Sequence, residues 1–124
     1  MHLIIGGAYQ GKQTFARETY GFGEEQIGTC TQDSVDFSKP CIRAMEAFVW
    51  GCVIRGEDAV AVFRENREAW QNSVLIIRDI SGGIVPVTKQ ERAWREQCGR
   101  LCQYLSREAD RVSRIFCGLE ERLK

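Results

Sequence analysis

The residues best suited to chemistry stand near the start of the sequence, where Gly6-Gly7-Ala8-Tyr9-Gln10-Gly11-Lys12 follows the short apolar run Leu3-Ile4-Ile5. A Gly-x-x-x-x-Gly-Lys segment between a strand and a helix is the signature of a phosphate-binding loop. Its glycines let successive backbone N–H groups converge on phosphate oxygens, and the helix that follows adds unpaired amides and its dipole. Lys12 supplies a mobile point charge that reaches the β- and γ-phosphates. The motif ordinarily continues with Ser or Thr, whose hydroxyl binds Mg²⁺, but this chain has Gln13, with Thr14 one place later. A glutamine amide oxygen can serve the ion or its bound water, whereas Thr14 points about 100 degrees further round the helix. Gly6 through Thr14 are therefore the candidate binding set for ATP or GTP with Mg²⁺.

Such a loop needs an acid at the end of a neighbouring strand to hold the metal. Asp79, just past the second apolar run Val74-Leu75-Ile76-Ile77, fits that place; its other reading is a turn or an ion pair with Arg78. Lys12 and Asp79 are the candidate catalytic residues, and Gln13 and Asp79 the candidate metal ligands. Ligands sit beyond the carboxyl ends of parallel strands, which puts Asp79 and the loop at one sheet edge. Asp33 and Asp36 either contact an acceptor or Mg²⁺, or keep their loop polar. Ser81, Gly82 and Gly83 either admit substrate close to the backbone or form a tight turn.

Several elements must position these groups. Leu3–Ile5 reads as a strand buried on both faces, and a helix is expected from around Gly11 to Tyr20, stopped by Gly21 and Gly23. Gln26 to Cys30 is a weaker strand, and residues 31–39 are a polar loop. Pro40 suits a first helical turn ahead of Ile42, Met45, Phe48, Val49, Cys52 and Val53 at helical spacing. Glu57-Asp58 opens a further helix carrying Val60, Phe63 and Trp70, and Val74–Ile77 is the second buried strand. Ser81 to Pro86 is a compact loop. Thr88 and Glu91 form a capping box for a long helix with Trp94, Cys98, Leu101, Leu105 and Ala109 on one stripe. Val112 to Cys117 reads as a last strand, with Ile115 and Phe116 in the core and Gly118 as its turn. Buried strands separated by helices predict an α/β fold with a mostly parallel sheet covered on both sides.

A length of 124 residues suits a single domain, residues 1–124, that buries roughly two thirds of its unfolded surface. Seventeen basic and seventeen acidic residues cancel, which gives no support for a nucleic-acid partner. Arg92, Arg95, Arg100, Arg107, Arg111 and Arg114 alternate with acids as a solvated helix side does; the other reading gives one or two of them a phosphate-facing or subunit-facing role. Six cysteines with no leader-like N-terminus point to a reducing, cytoplasmic setting, and Cys30, Cys98, Cys102 and Cys117 read as buried packing. Zinc is not expected, since His2 is the only histidine and no Cys-x-x-Cys pair occurs. No apolar stretch approaches the roughly 20 residues that span a bilayer. The apolar helix surface suits burial against a second copy, a homo-oligomer.

Together, Gly6–Lys12 and Asp79-Ile80-Ser81-Gly82-Gly83-Ile84-Val85-Pro86 resemble the adenosylcobinamide kinase/adenosylcobinamide-phosphate guanylyltransferase family of cobalamin biosynthesis. That family opens with Gly-Gly-Ala-Arg-Ser-Gly-Lys-Ser and later carries Asn-Glu-Val-Gly-x-Gly-Ile-Val-Pro. The similarity covers residues 2–20 and 74–118. It implies a P-loop NTPase-like three-layer sandwich, with Lys12 at the phosphate-binding lysine, Asp79 at the family glutamate and Arg78 at the usual asparagine. Family members phosphorylate the aminopropanol hydroxyl of adenosylcobinamide, a corrinoid, and then transfer GMP through a guanylated histidine. Relatives are longer, with a further strand ending in aspartate, and Phe48–Arg55 holds no such acid. No histidine follows the second strand here, and His2 lies too early to replace it. A shortened, divergent kinase without guanylyl transfer is the expectation; the alternative is a catalytically idle nucleotide-binding regulator or partner protein of corrinoid metabolism.

Overall fold

The computed structural model describes residues 1–81 and 88–124, so the segment read as a compact loop lies outside the described residues from Gly82 through Pro86. The chain runs β1 (His2–Gly6), α1 (Lys12–Tyr20), a short 3-10 turn (Glu24–Gln26), β2 (Ile27–Thr29), β3 (Cys41–Arg43), α2 (Met45–Arg55), α3 (Ala59–Glu65), α4 (Arg67–Trp70), β4 (Val74–Arg78), α5 (Lys89–Glu108), β5 (Arg111–Phe116) and β6 (Leu119–Arg122). The strands form one sheet in the order β2-β3-β4-β1-β5-β6. Every neighbouring pair is parallel except the terminal hairpin of β5 and β6. The mostly parallel α/β sandwich expected from the sequence is thus the fold observed.

Alternation along the strands sends side chains to two cores. Leu3, Leu75, Ile77, Ile42 and Val112 share one with Phe48, Val49, Phe63, Leu101 and Leu105 from α2, α3 and α5. Ile4, Val74, Ile76, Cys41 and Ile115 pack on the opposite face, against Ala16 and Phe15 of α1. Burial of each large aliphatic side chain contributes about 1.5–3 kcal/mol. The register places Leu3 between Leu75 and Val112, which sets β1 in the middle of the sheet. Its carboxyl end, where the loop begins, is therefore flanked by strands on both sides.

Four details differ from the sequence reading. Pro40 opens no helix: Cys41–Arg43 is a strand, and α2 begins only at Met45, after Ala44 turns the chain at φ 59°. Ile42 pairs with Gly28 on one side and Leu75 on the other, and two parallel ladders outweigh its helical spacing with Met45. The helix expected after Asp58 is two helices, broken at Asn66, whose side-chain amide donates to the Val62 carbonyl at 2.8 Å. Asp58 does cap the first, accepting from the Val60 N–H at 3.0 Å. At the chain's end, Cys117 and Gly118 turn with positive φ into the unforeseen β6. Phe116 and Cys117 consequently lie exposed at the sheet edge rather than in the core, while Ile115 is buried as expected.

Candidate functional site

The loop between β1 and α1 is held at both ends by backbone geometry. A Cβ at Gly6 would lie 2.6 Å from the Ile115 carbonyl oxygen, so only glycine lets β1 and β5 stay this close. Gly11 enters α1 at φ 92°, in the left-handed region that side chains disfavour. Between them Tyr9 adopts φ 61° with its ring wholly in solvent, a conformation that costs about 1 kcal/mol or more for a non-glycine residue. Gln10 fastens this arch to the terminal hairpin. Its side-chain oxygen accepts from the Cys117 N–H at 2.6 Å, and its carbonyl accepts from the Gly118 N–H at 2.9 Å.

A depression of about 360 Å³ opens beside the arch. Ala8, Tyr9, Gly11, Lys12, Gln13 and Thr14 form one wall, and Arg43, Ala44, Glu46 and Arg78 form the other over Ile76. Lys12 Nζ donates to the Gly7 carbonyl at 2.6 Å, which folds its charge back over the loop. Burial lowers the Lys12 pKa; Glu46 opposes that shift, and Arg78 and Arg43 reinforce it. Among the described residues neither Arg43 nor Arg78 forms an ion pair. Three cations around one carboxylate make this a cradle for a polyanion.

Glu46 is the residue that sequence reasoning missed. It lies in the first turn of α2, and its Oε1 accepts the Arg78 backbone N–H at 2.9 Å. Placing the helix start at Pro40 had put residue 46 in mid-helix, away from any strand end. An acid three residues beyond a strand, on the same edge as the Gly6–Lys12 loop, was the available signal, and the shortness of that three-residue strand hid it.

Asp79 does lie at this edge: its N–H donates to the Gly6 carbonyl at 2.8 Å, which extends the β4–β1 ladder by one residue. Strand alternation, however, turns its side chain away from Ile76 and toward α5. The carboxylate accepts from the Ser81 N–H at 2.9 Å and hydroxyl at 2.6 Å, and those bonds lower its pKa. It lines a separate depression with Ile5, Arg95, Cys98 and Cys102, whereas Gln13 and Thr14 line the one beside the arch. Asp33 lies 3.6 Å from Arg55, and Asp36 accepts from the Ser38 N–H at 3.0 Å. Neither lines the depression beside the arch.

The sequence model of the cobinamide kinase / cobinamide phosphate guanyltransferase family matches residues 55–123. The chain belongs to this family. A comparison with curated proteins gives no match. The segment that places it in the cobinamide kinase / cobinamide phosphate guanyltransferase family runs from the end of α2 through β6 and includes Asp79, whereas Gly6–Thr14 precede it. The family assignment brings transfer chemistry of cobalamin biosynthesis, with a nucleotide and a corrinoid as substrates. No helix among the described residues is long and apolar enough to cross a membrane.

The one histidine of this cobinamide kinase / guanyltransferase family member is built into the sheet as the first residue of β1, not before it. Ser113 donates to Glu120, so its oxygen accepts from His2 Nε2 at 2.7 Å, and Nδ1 accepts from the Tyr20 hydroxyl at 2.6 Å. Burial pushes the imidazole down to about 4. At the amino end of β1, His2 stands at the sheet edge opposite the phosphate loop.

Proposed function

We propose that this protein is a kinase that transfers the terminal phosphoryl of ATP or GTP to the aminopropanol hydroxyl of adenosylcobinamide, without guanylyl transfer. One observation carries the reading: the Gly6–Lys12 loop shares a single depression with Arg43, Arg78 and Glu46. Backbone amides of the loop and the start of α1 hold the phosphate chain, and Lys12 leaves the Gly7 carbonyl to meet the β- and γ-phosphates. Arg43 and Arg78 neutralise charge on the transferring group from the opposite wall. The acceptor oxygen forms a bond to the γ-phosphorus while the bond to the β-phosphate oxygen breaks. The nucleoside diphosphate leaves, and the hydroxyl proton passes to the Glu46 carboxylate and on to water.

Mg²⁺ fits the donor set: Gln13 would offer it a hard oxygen ligand beside the phosphates, and Glu46 would reach it through a bound water while keeping its own oxygen for the proton. When bound, the ion offsets the negative charge of the phosphate chain. Of the two acids at this edge we assign the central role to Glu46, which faces Lys12 and Gln13, and a supporting role at the end of β4 to Asp79. Guanylyl transfer through histidine has no group here to carry it, because the only imidazole is buried at the far end of β1.

Gln13 in place of the hydroxyl favours a second reading, an idle nucleotide-binding partner of corrinoid metabolism. Incubation with ATP or GTP, Mg²⁺ and adenosylcobinamide separates the two. A phosphate ester of the corrinoid supports the kinase, and saturable nucleotide binding with no ester supports the idle binder. Label from α-labelled GTP that stayed on denatured protein would overturn the exclusion of guanylyl transfer.

A further inference from the structure

A phosphoryl acceptor must come within bonding reach of the terminal phosphorus, so its subsite has to adjoin the phosphate depression. Among the described residues, one open depression of about 450 Å³ between α2 and α5 does so along Glu46 and Arg78, and Ala47, Trp50, Glu91 and Trp94 line the rest of it. Among the described residues, the smaller depression at Asp79 meets the phosphate side through Arg78 alone.

The two tryptophans form a built surface. Their rings meet edge to face with centroids 5.5 Å apart, and both stay partly exposed. Trp94 Nε1 donates to the Glu46 carbonyl at 2.8 Å, which ties the aromatic pair to the acid that faces Lys12. An apolar aromatic floor beside a few fixed polar groups is how proteins bind large organic ligands. The shared edge fixes the order of a bound molecule: its apolar body lies over the rings and its hydroxyl points past Glu46 to the phosphates.

We infer that the Trp50–Trp94 depression is the acceptor subsite and takes the broad, amide-fringed ring of a corrinoid, with Glu91 at its rim accepting from amide N–H groups. This deepens the phosphotransfer reading and depends on it for the identity of the acceptor. The nucleotide stays on the loop side, so the two ligands separate by mutation.

Calorimetry on the full chain tests this with adenosylcobinamide in one arm and the Mg²⁺ complexes of ATP and GTP in the other. Trp50→Ala should weaken corrinoid binding about tenfold and leave nucleotide affinity unchanged, while Trp50→Phe keeps most of the corrinoid affinity. If Trp50→Ala fails to fold, Ala47→Trp fills the depression and should exclude the corrinoid while sparing the nucleotide. Unchanged corrinoid affinity in the folded variants, loss of nucleotide affinity in its place, or no corrinoid binding to the wild-type protein overturns the subsite. Absence of nucleotide binding to the wild-type protein sinks the phosphotransfer reading alone, and the corrinoid arm still decides the subsite.

Discussion

Glu46 Oε1 accepts the backbone N–H of Arg78 at 2.9 Å, which locks the first turn of α2 to the last residue of β4 across the phosphate depression. The bond uses one carboxylate oxygen, and on the proposed reading the other serves the reacting groups. Glu46→Gln keeps an oxygen for Arg78 but removes the charge and the basic site. Its turnover should fall about 10²-fold or more, with nucleotide affinity nearly unchanged. Asp79→Asn, on the face toward α5, should cost less than about tenfold. Steady-state kinetics of the two variants decide between the acids, and a larger loss for Asp79→Asn returns the central role to that residue.

Gly6 and Gly7 belong to the same motif but face different surroundings. A methyl at Gly6 meets the Ile115 carbonyl at 2.6 Å, whereas one at Gly7 meets only Gln10 Cγ at 3.6 Å, an ordinary contact. Gly6→Ala must therefore push β1 and β5 apart at the base of the loop and should cost about 1–3 kcal/mol of stability. Gly7→Ala should leave the melting temperature within about a degree or two of the wild type. Thermal unfolding of both variants checks this, and equal melting temperatures would mean that the β1–β5 approach is not tight.

These glycines also mark what was legible in the sequence and what was not. The long or strongly apolar elements, β1, β4 and α5, announced themselves because their side chains are buried in continuous runs or at regular spacing. Thr88 was readable as a cap for a local reason, and its hydroxyl accepts the Glu91 N–H at 3.0 Å. The three-residue β3 was not readable, because its strand character comes from the partners Gly28 and Leu75 and not from its own residues. Missing β3 also hid Glu46. Phe116 was misplaced for a related reason: it ends β5 opposite Leu119 of the exposed strand β6, and its own sequence does not show that no helix covers it there. Lys12 and Gln13 could be singled out because their motif is local, whereas the facing wall of Arg43 and Arg78 is assembled only by the sheet order.

His2 makes stability depend on pH. Its ordinary pKa of 6.5 is pushed down to about 4 in the fold, first by burial and then by the nearby Arg111 charge. Between those values the unfolded chain binds a proton that the folded chain refuses. Stability therefore falls as pH drops from 6.5 toward 4, by roughly 3 kcal/mol across the window. Denaturant titrations at several pH values should show this slope, and His2→Gln, which cannot titrate, should flatten it. An equal slope in the variant would assign the pH dependence to the carboxylates.

The claim on which the functional account stands is that Gly6–Thr14, with Arg43 and Arg78 opposite, hold a nucleotide's phosphate chain. Isothermal titration of the protein with the Mg²⁺ complexes of ATP and GTP tests it most directly. The account predicts saturable binding of at least one of them at one site per chain, weakened about tenfold or more in Lys12→Ala. No heat with either nucleotide, or equal affinity in the lysine variant, would contradict it.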